Sequence, residues 1–207
     1  MQARVRLVLW VLCAIAAAGI ALVLLLGPVR GSSAPAPDAA GYEGALRPPG
    51  IPVRDFTLRD QDGRLVSLSA LRGRPAILTF LYSTCRTECP LTTQQIRGAL
   101  DDTGQALPVL AVSVDPKGDT PARARRFLVE QRMDGRMRFL LGTRARLRPI
   151  WKAYGIQPQG RGFEHSAYVF VLDPTGRQCV SFPISHLTPE ALAHDLRVVA
   201  SRRACLR

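Results

Sequence analysis

The stretch PAILTFLYSTCRTECP, residues 75–90, decides the fold. Its first part, residues 75–83, is a continuous apolar run that suits a strand buried on both faces of a sheet. Cys85 and Cys89 follow, and Pro90 comes directly after them. Proline is tolerated in the first turn of a helix, where backbone N–H groups have no intrahelical partner. A helix is therefore expected from residue 89 to about 102, with Cys89 near its N-cap and Pro90 at the first helical position. Unpaired amides and the dipole at such a start favour a thiolate. Arg86 adds a positive charge beside the pair, and Glu88 opposes it. A strand that turns into a helix here puts both sulfurs at the carboxyl ends of the strands, where α/β sheets build their sites.

Working outward, LPVLAVSVD (107–115) reads as a second buried strand. Thr120-Pro121 opens a helix to about residue 133, RMRFLLG forms a short strand, and 143–154 is helical. SAYVFVLD and RQCVSFP flank a hairpin turn at 173–176, with Asp173 as a turn residue, and Thr188-Pro189-Glu190 caps a last helix to about residue 201. Upstream, RDFTLRDQDGRLVSLSALRG reads as a hairpin turning at Asp62-Gly63. Buried strands alternating with helices, a terminal antiparallel hairpin and a cysteine pair after the first buried strand point to an α/β, thioredoxin-like fold with an N-terminal hairpin extension, over residues 51–207. If the last helix folds back along the final strand, its end meets that strand's start. A disulfide between Cys179 and Cys205 is expected from this.

Residues 7–26, LVLWVLCAIAAAGIALVLLL, carry no charge. About 20 such residues cross a hydrocarbon core of about 30 Å, so residues 1–26 are expected to form a single transmembrane anchor. Ala34-Pro35-Ala36 has the look of a signal-peptidase site, but Pro37 hinders cleavage. Cys13 follows Leu12, where lipidation wants a small residue, and is expected to face lipid as a small apolar side chain. Arg4 and Arg6 precede the span and favour a cytoplasmic N-terminus with the domain outside, in an oxidising compartment. Residues 27–50, rich in Pro, Gly, Ala and Ser, read as a linker.

The formal net charge is +12, from 26 arginines and two lysines against 16 acidic residues. Arginine runs at 123–126 and 143–148 fall on expected helices, but no aromatic stacking platforms or recognition motifs accompany them. Nucleic acid is not an expected partner. A solvated basic face, or one that meets anionic headgroups or an acidic partner, remains.

Two nearby thiolates can cycle with a disulfide, attack a peroxide or bind a soft metal. Cys-x-x-Cys is the usual redox spacing, and the extra residue here does not forbid a disulfide. Thioredoxin-type redox proteins place a proline before the third core strand; here that segment is GFEHSAYVF, with His165 where the chain should pass the cysteines. Two thiolates and one imidazole suit Cu(I) and tolerate Cu(II). Zinc would want a fourth ligand. The peroxidatic context Pro-x-x-x-Thr-x-x-Cys is missing around Cys85. A structural Cys85–Cys89 disulfide and a merely solvated His165 are the competing readings.

With these residues in view, the chain resembles the Sco/SenC family of copper-binding cytochrome c oxidase assembly proteins. The family's Cys-x-x-x-Cys-Pro after an apolar strand is matched by FLYSTCRTECP. Its Val-Asp-Pro…Asp-Thr-Pro is matched by SVDPKGDTP (113–121), and its histidine, aromatic strand and Asp-Pro-x-Gly by HSAYVFVLDPTG (165–176). The resemblance implies a thioredoxin-like domain in the periplasm, anchored in a bacterial inner membrane. It implies copper on Cys85, Cys89 and His165. The partners it implies are the copper-bearing subunit of cytochrome c oxidase and other periplasmic copper chaperones. The implied role is copper delivery to the dinuclear centre, or thiol-disulfide reduction of a partner's cysteines with Cys85 and Cys89 as the redox pair. Glu164 stands where the family often has Asp, and Arg86-Thr87-Glu88 replaces a frequent Pro-Asp. Glu164 and Tyr168 are candidates to flank the ligands. Asp115 and Asp119 are expected to serve turns and caps, and His186 and His194 to be structural.

Overall fold

In the strand Ala76–Leu81 every side chain is buried, as the apolar run requires of a central strand. The computed structural model describes residues 6, 10–17, 41–47, 55–158, 167–202 and 205. They fall in two compact units, Met1–Ala36 and Pro37–Arg207. In the second unit the strands are β1 (Ala45–Leu46), β2 (Thr57–Arg59), β3 (Leu65–Ser67), β4 (Ala76–Leu81), β5 (Val109–Ser113), β6 (Arg138–Leu140), β7 (Tyr168–Leu172) and β8 (Gln178–Pro183). The α-helices are α1 (Glu88–Thr103), α2 (Pro121–Glu130), α3 (Arg144–Ala153) and α4 (Pro189–Arg202).

Six strands form one sheet in the order β1-β8-β7-β4-β5-β6, and β2 and β3 form a separate hairpin. β4, β5 and β6 run parallel, each joined to the next through a helix, whereas β7 lies antiparallel against β4 and β8 against β7. Alternate β4 side chains enter opposite cores. Ile77 and Leu81 pack with Ile96, Phe127, Leu192 and Leu196 from α1, α2 and α4. Leu78 and Phe80 pack with Leu147 and Trp151 of α3 and with Leu58 and Val66 of the hairpin. Residues alternating to two buried faces explain why the sequence shows an unbroken apolar run instead of a period of two. The Asp62-Gly63 hairpin, both later hairpin strands and all four helices stand where the sequence places them. This is the mixed α/β, thioredoxin-like fold expected.

Of the linker expected over residues 27–50, residues 41–47 are described, and they fold onto the domain. Ala45 and Leu46 pair with Ser181 and Val180. Tyr42 is fully buried, with the Arg202 guanidinium 5.4 Å from its ring centre. Buried Asp195 on α4 accepts from the backbone N–H groups of Glu43 and Gly44, both at 2.9 Å. A two-residue strand in a Gly- and Pro-rich context has no periodicity to announce it, and its anchor is a carboxylate about 150 residues away.

In the first unit, residues 10–17 are helical and exposed. No helix among the described residues is long and apolar enough to cross a membrane. Residues 7–9 and 18–26 of the expected anchor lie outside the described residues.

Cys179 and Cys205 form the expected disulfide, with Cα atoms 5.1 Å apart and a sequence separation of 26. It ties the end of the chain beyond α4 to the start of β8. On the chain-entropy model a closure of this length contributes about 3 kcal/mol. Alkylation without reductant should leave both cysteines unlabelled by mass, and Cys179→Ser should lower unfolding stability by about that amount; labelling of both would refute the bridge.

A second expectation concerns pH. Burial pushes the Asp195 carboxyl up to about 6, against the pull of the two N–H groups. A folded-state value above the unfolded one, about 4, means the folded protein takes up a proton first. The resulting stabilisation is complete below about pH 4 and is lost as pH rises through about 6. Denaturant titrations across this window should show that slope in the native protein and not in Asp195→Asn.

Candidate metal centre

β4 ends at Leu81, and the chain turns through Tyr82, Ser83 and Thr84 into Cys85, whose N–H donates to the Tyr82 carbonyl at 3.2 Å. α1 begins at Glu88, not at Pro90, so Cys89 lies inside its first turn. Pro90 fits nonetheless, because first-turn N–H groups have no intrahelical acceptor to lose. The capping residue Thr87 makes no side-chain bond to the helix start. The Cys89 N–H instead donates to Cys85 Sγ at 3.2 Å. Neither cysteine is in a disulfide; Cys85 is 6% exposed and Cys89 fully buried.

The two sulfurs are electrostatically unlike. The Cys89 thiol donates to Cys85, and the N–H groups of Cys89 and Thr87 and the Tyr82 side chain add to it. Together they overcome burial and lower Cys85 to about 5. Burial pushes Cys89 far the other way, and holding its proton toward Cys85 adds to the rise. The sequence suggests Cys89, at the helix start, as the favoured thiolate. The structure reverses this: a helix end stabilises the anion placed beyond it, and that anion is Cys85.

The loop carrying Cys85 is held from behind by Asp119, which is 9% exposed. Its Oδ1 accepts from the Ser83 N–H at 2.7 Å and from the Ser83 hydroxyl at 2.6 Å, and its Oδ2 accepts from the Ser113 hydroxyl. Ser113 ends β5, and its carbonyl accepts from Trp151 Nε1 at 2.9 Å. Burial raises the Asp119 carboxyl, while Ser113 and Ser83 pull it down. The expectation of turn and cap roles therefore holds for Asp115, which accepts from the Gly118 N–H at 3.0 Å, and fails for Asp119. Helix α2 is capped by Thr120, which frees Asp119 to join β4's loop to β5. The available signal was two acidic residues in SVDPKGDTP where one suffices for a turn.

Glu164 and His165 lie outside the described residues. Tyr168 opens β7, is 37% exposed and stacks on Phe170. Val169 pairs antiparallel with Thr79, and the Tyr168 carbonyl accepts from the Thr79 hydroxyl at 2.9 Å. The chain entering β7 is thus at the end of the sheet where β4 leads to the cysteines. Asp173 is a turn residue as expected, with Oδ1 accepting from the Thr175 and Arg177 N–H groups. His194 bonds the Gly41 carbonyl at 3.0 Å, and His186 sits exposed in a 3-10 turn that follows β8. Among the described residues one cluster, Asp173 with Cys179 and Cys205, brings three ligand-type side chains together. Its sulfurs are bonded to each other, so it offers no thiolate.

Residues 46–201 match the SCO1/SenC family model. A SCO1 protein homolog of Bacillus subtilis (strain 168) is 30% identical over 92 residues, 43% of this chain and 48% of that protein, so the match spans about half of that relative's length. The solved structure of Bradyrhizobium japonicum ScoI with copper bound is 28% identical, with a TM-score of 0.57 over 70% of this chain and 98% of that one. Apo Sco1 from Thermus thermophilus is 25% identical, with a TM-score of 0.63 over 76% and 96% of the two chains.

Two measurements check the site. Thiolate absorbance should show one cysteine of the pair titrating near pH 5, lost in Cys85→Ser and kept in a Cys13→Ser background. Asp119→Ala leaves the half-buried Ser83 N–H and hydroxyl and the buried Ser113 hydroxyl without their acceptor and should cost about 3 kcal/mol, read by chemical denaturation; a loss under about 0.5 kcal/mol would show that Asp119 does not hold the loop.

Proposed function

Because the chain belongs to the SCO1/SenC family, we propose that it is a copper chaperone whose domain holds one copper ion through Cys85, Cys89 and His165 and assists assembly of the copper centre of cytochrome c oxidase. The observation that carries this reading is the preorganised sulfur pair: a Cys85 thiolate held by the start of α1, with the Cys89 thiol against it. The donor set fits a soft ion. Copper bound there replaces the shared thiol proton as the positive charge between the sulfurs. His165 is two residues before Ala167 in sequence, and two residues span up to about 7 Å, so the imidazole has a short path to the end of the sheet that carries the sulfurs. The copper-bound Bradyrhizobium relative supports the choice of metal.

In this reading residues 7–26 anchor the protein in a bacterial inner membrane, and residues 27–40 tether the domain in the periplasm. An oxidising compartment agrees with the Cys179–Cys205 bridge.

One observation favours a second reading, thiol-disulfide reduction. Cys85 is a low-pKa thiolate and Cys89 a buried thiol beside it, the division of labour of an attacking and a resolving cysteine. Cys85 would attack a partner disulfide and release one partner thiolate. Cys89 would then displace the second, leaving a Cys85–Cys89 disulfide and two electrons on the partner.

Anaerobic Cu(I) titration of the domain from residue 37 onward against a chelator separates the two. That unit keeps Tyr42 and the Asp195 contacts. Solved relatives covered over 96–98% of their length by this domain support its use as a folding unit. One equivalent of copper should be held. Losing an outer partner of a metal ligand costs about 10–100-fold in affinity, and His165→Ala, Cys85→Ala and Cys89→Ala should each exceed that. Full retention in His165→Ala, with dithiol exchange intact, would leave reduction as the function.

A further inference from the structure

Helix α3 carries Arg144, Arg146, Arg148 and Lys152 in ten residues, with no carboxylate. All four are exposed. Among the described residues the ion pairs are Arg64–Asp62, Arg125–Asp62, Arg126–Glu130 and Arg136–Asp101, so none of the α3 cations is paired with a carboxylate of a described residue. Four uncompensated like charges on three turns disfavour the helix itself, and burial of Leu147, Ile150 and Trp151 is what holds it.

The helix crosses the sheet near the carboxyl ends of its parallel strands. Trp151 is bonded to Ser113, the last residue of β5, and Tyr154 packs 5.5 Å from Phe80 and 5.4 Å from Phe170 by ring centres. One flank of α3 abuts the β2–β3 hairpin, with Arg146, Pro149 and Ile150 beside Phe56 and Leu58. The other flank bears Arg144, Arg148 and Lys152, one cation per turn, around Trp151, Ile156 and Pro158. Lys152 also lines a groove with the exposed ring of Tyr168. The cationic row therefore runs beside the end of the sheet from which the Cys85 loop and β7 are served.

We infer that the Arg144–Arg148–Lys152 row, with Tyr168 at its end, is the docking surface for an acidic protein face that borders a copper-accepting site. The inference rests on the copper-delivery reading. Passing a metal between proteins requires the mouths of both sites to meet, and a surface contiguous with one mouth is buried in the same interface. Charge complementarity then calls for carboxylates on the acceptor, which steer encounter more than they add affinity. The choice of protein over lipid comes from Tyr168: an exposed aromatic ring at the end of an arginine-bearing row is what protein interfaces use, while headgroups need only charge.

The test uses the domain from residue 37, as above, and the apo copper-binding domain of the copper-bearing cytochrome c oxidase subunit from the same genome as the probe. Arg144→Glu, Arg148→Glu and Lys152→Glu are combined, and Arg123→Glu with Arg126→Glu on α2 serves as a charge-reversal control elsewhere on the surface. Association rates are followed by stopped-flow at low and high salt. The triple variant should associate about 10–100-fold more slowly at low salt, converge on the native rate at high salt, and keep its copper in chelator competition. The α2 control should change little. Equal slowing in both variants, an unchanged rate in the triple variant, or no association by the native domain would each overturn the docking surface. So would a variant that loses only its binding to phosphatidylcholine vesicles containing phosphatidylglycerol. Failure of the native domain to hold copper in the chelator titration is the distinct result that overturns the delivery reading itself.

Discussion

The contact on which the site depends is the hydrogen bond from the Cys89 N–H to the Cys85 sulfur, across the start of α1. An amide in the first turn of a helix has no carbonyl to meet, and no side chain caps this helix. The sulfur supplied by the β4 loop is its acceptor. The same bond orients the two cysteines, stabilises charge on one of them and leaves the other, buried in the core, as a proton donor. The three-residue spacing makes this geometry: Cys85 stays outside the helix while Cys89 enters it.

A sulfur on a loop is only as well placed as the loop. Asp119 fixes that loop by binding both the backbone and the hydroxyl of Ser83, and it is itself fixed by Ser113 at the end of β5. Ser113 in turn receives the Trp151 indole from α3. A chain of contacts thus links the cysteine loop, the central sheet and the helix that carries the cationic row. The mouth of the site and the surface beside it form one supported end of the molecule, while the disulfide and the Asp195 contacts secure the β8–β1 edge of the sheet and α4.

Much of this was legible in the sequence because the decisive signals are local. The run at 75–83, the Asp62-Gly63 turn, Thr120-Pro121 and the 173–176 turn each specify their own element. The Cys179–Cys205 pair followed from topology once the last helix was laid on the last strand. What escaped depends on distant partners. Residues 45–46 become a strand because β8 offers a free edge and Asp195 captures the preceding amides. Asp119 looks like a cap until Ser83, 36 residues earlier, is seen to need an acceptor. Which cysteine carries the charge depends on where the helix begins, and Pro90 suggested a start two residues late.

X-ray absorption at the copper edge of the loaded domain tests the central claim most directly. Two sulfur donors and one imidazole nitrogen at the metal, with the nitrogen contribution lost in His165→Ala, is the result the proposed copper site predicts. A site with no sulfur scattering, or one whose spectrum is the same after Cys85→Ala, would contradict it.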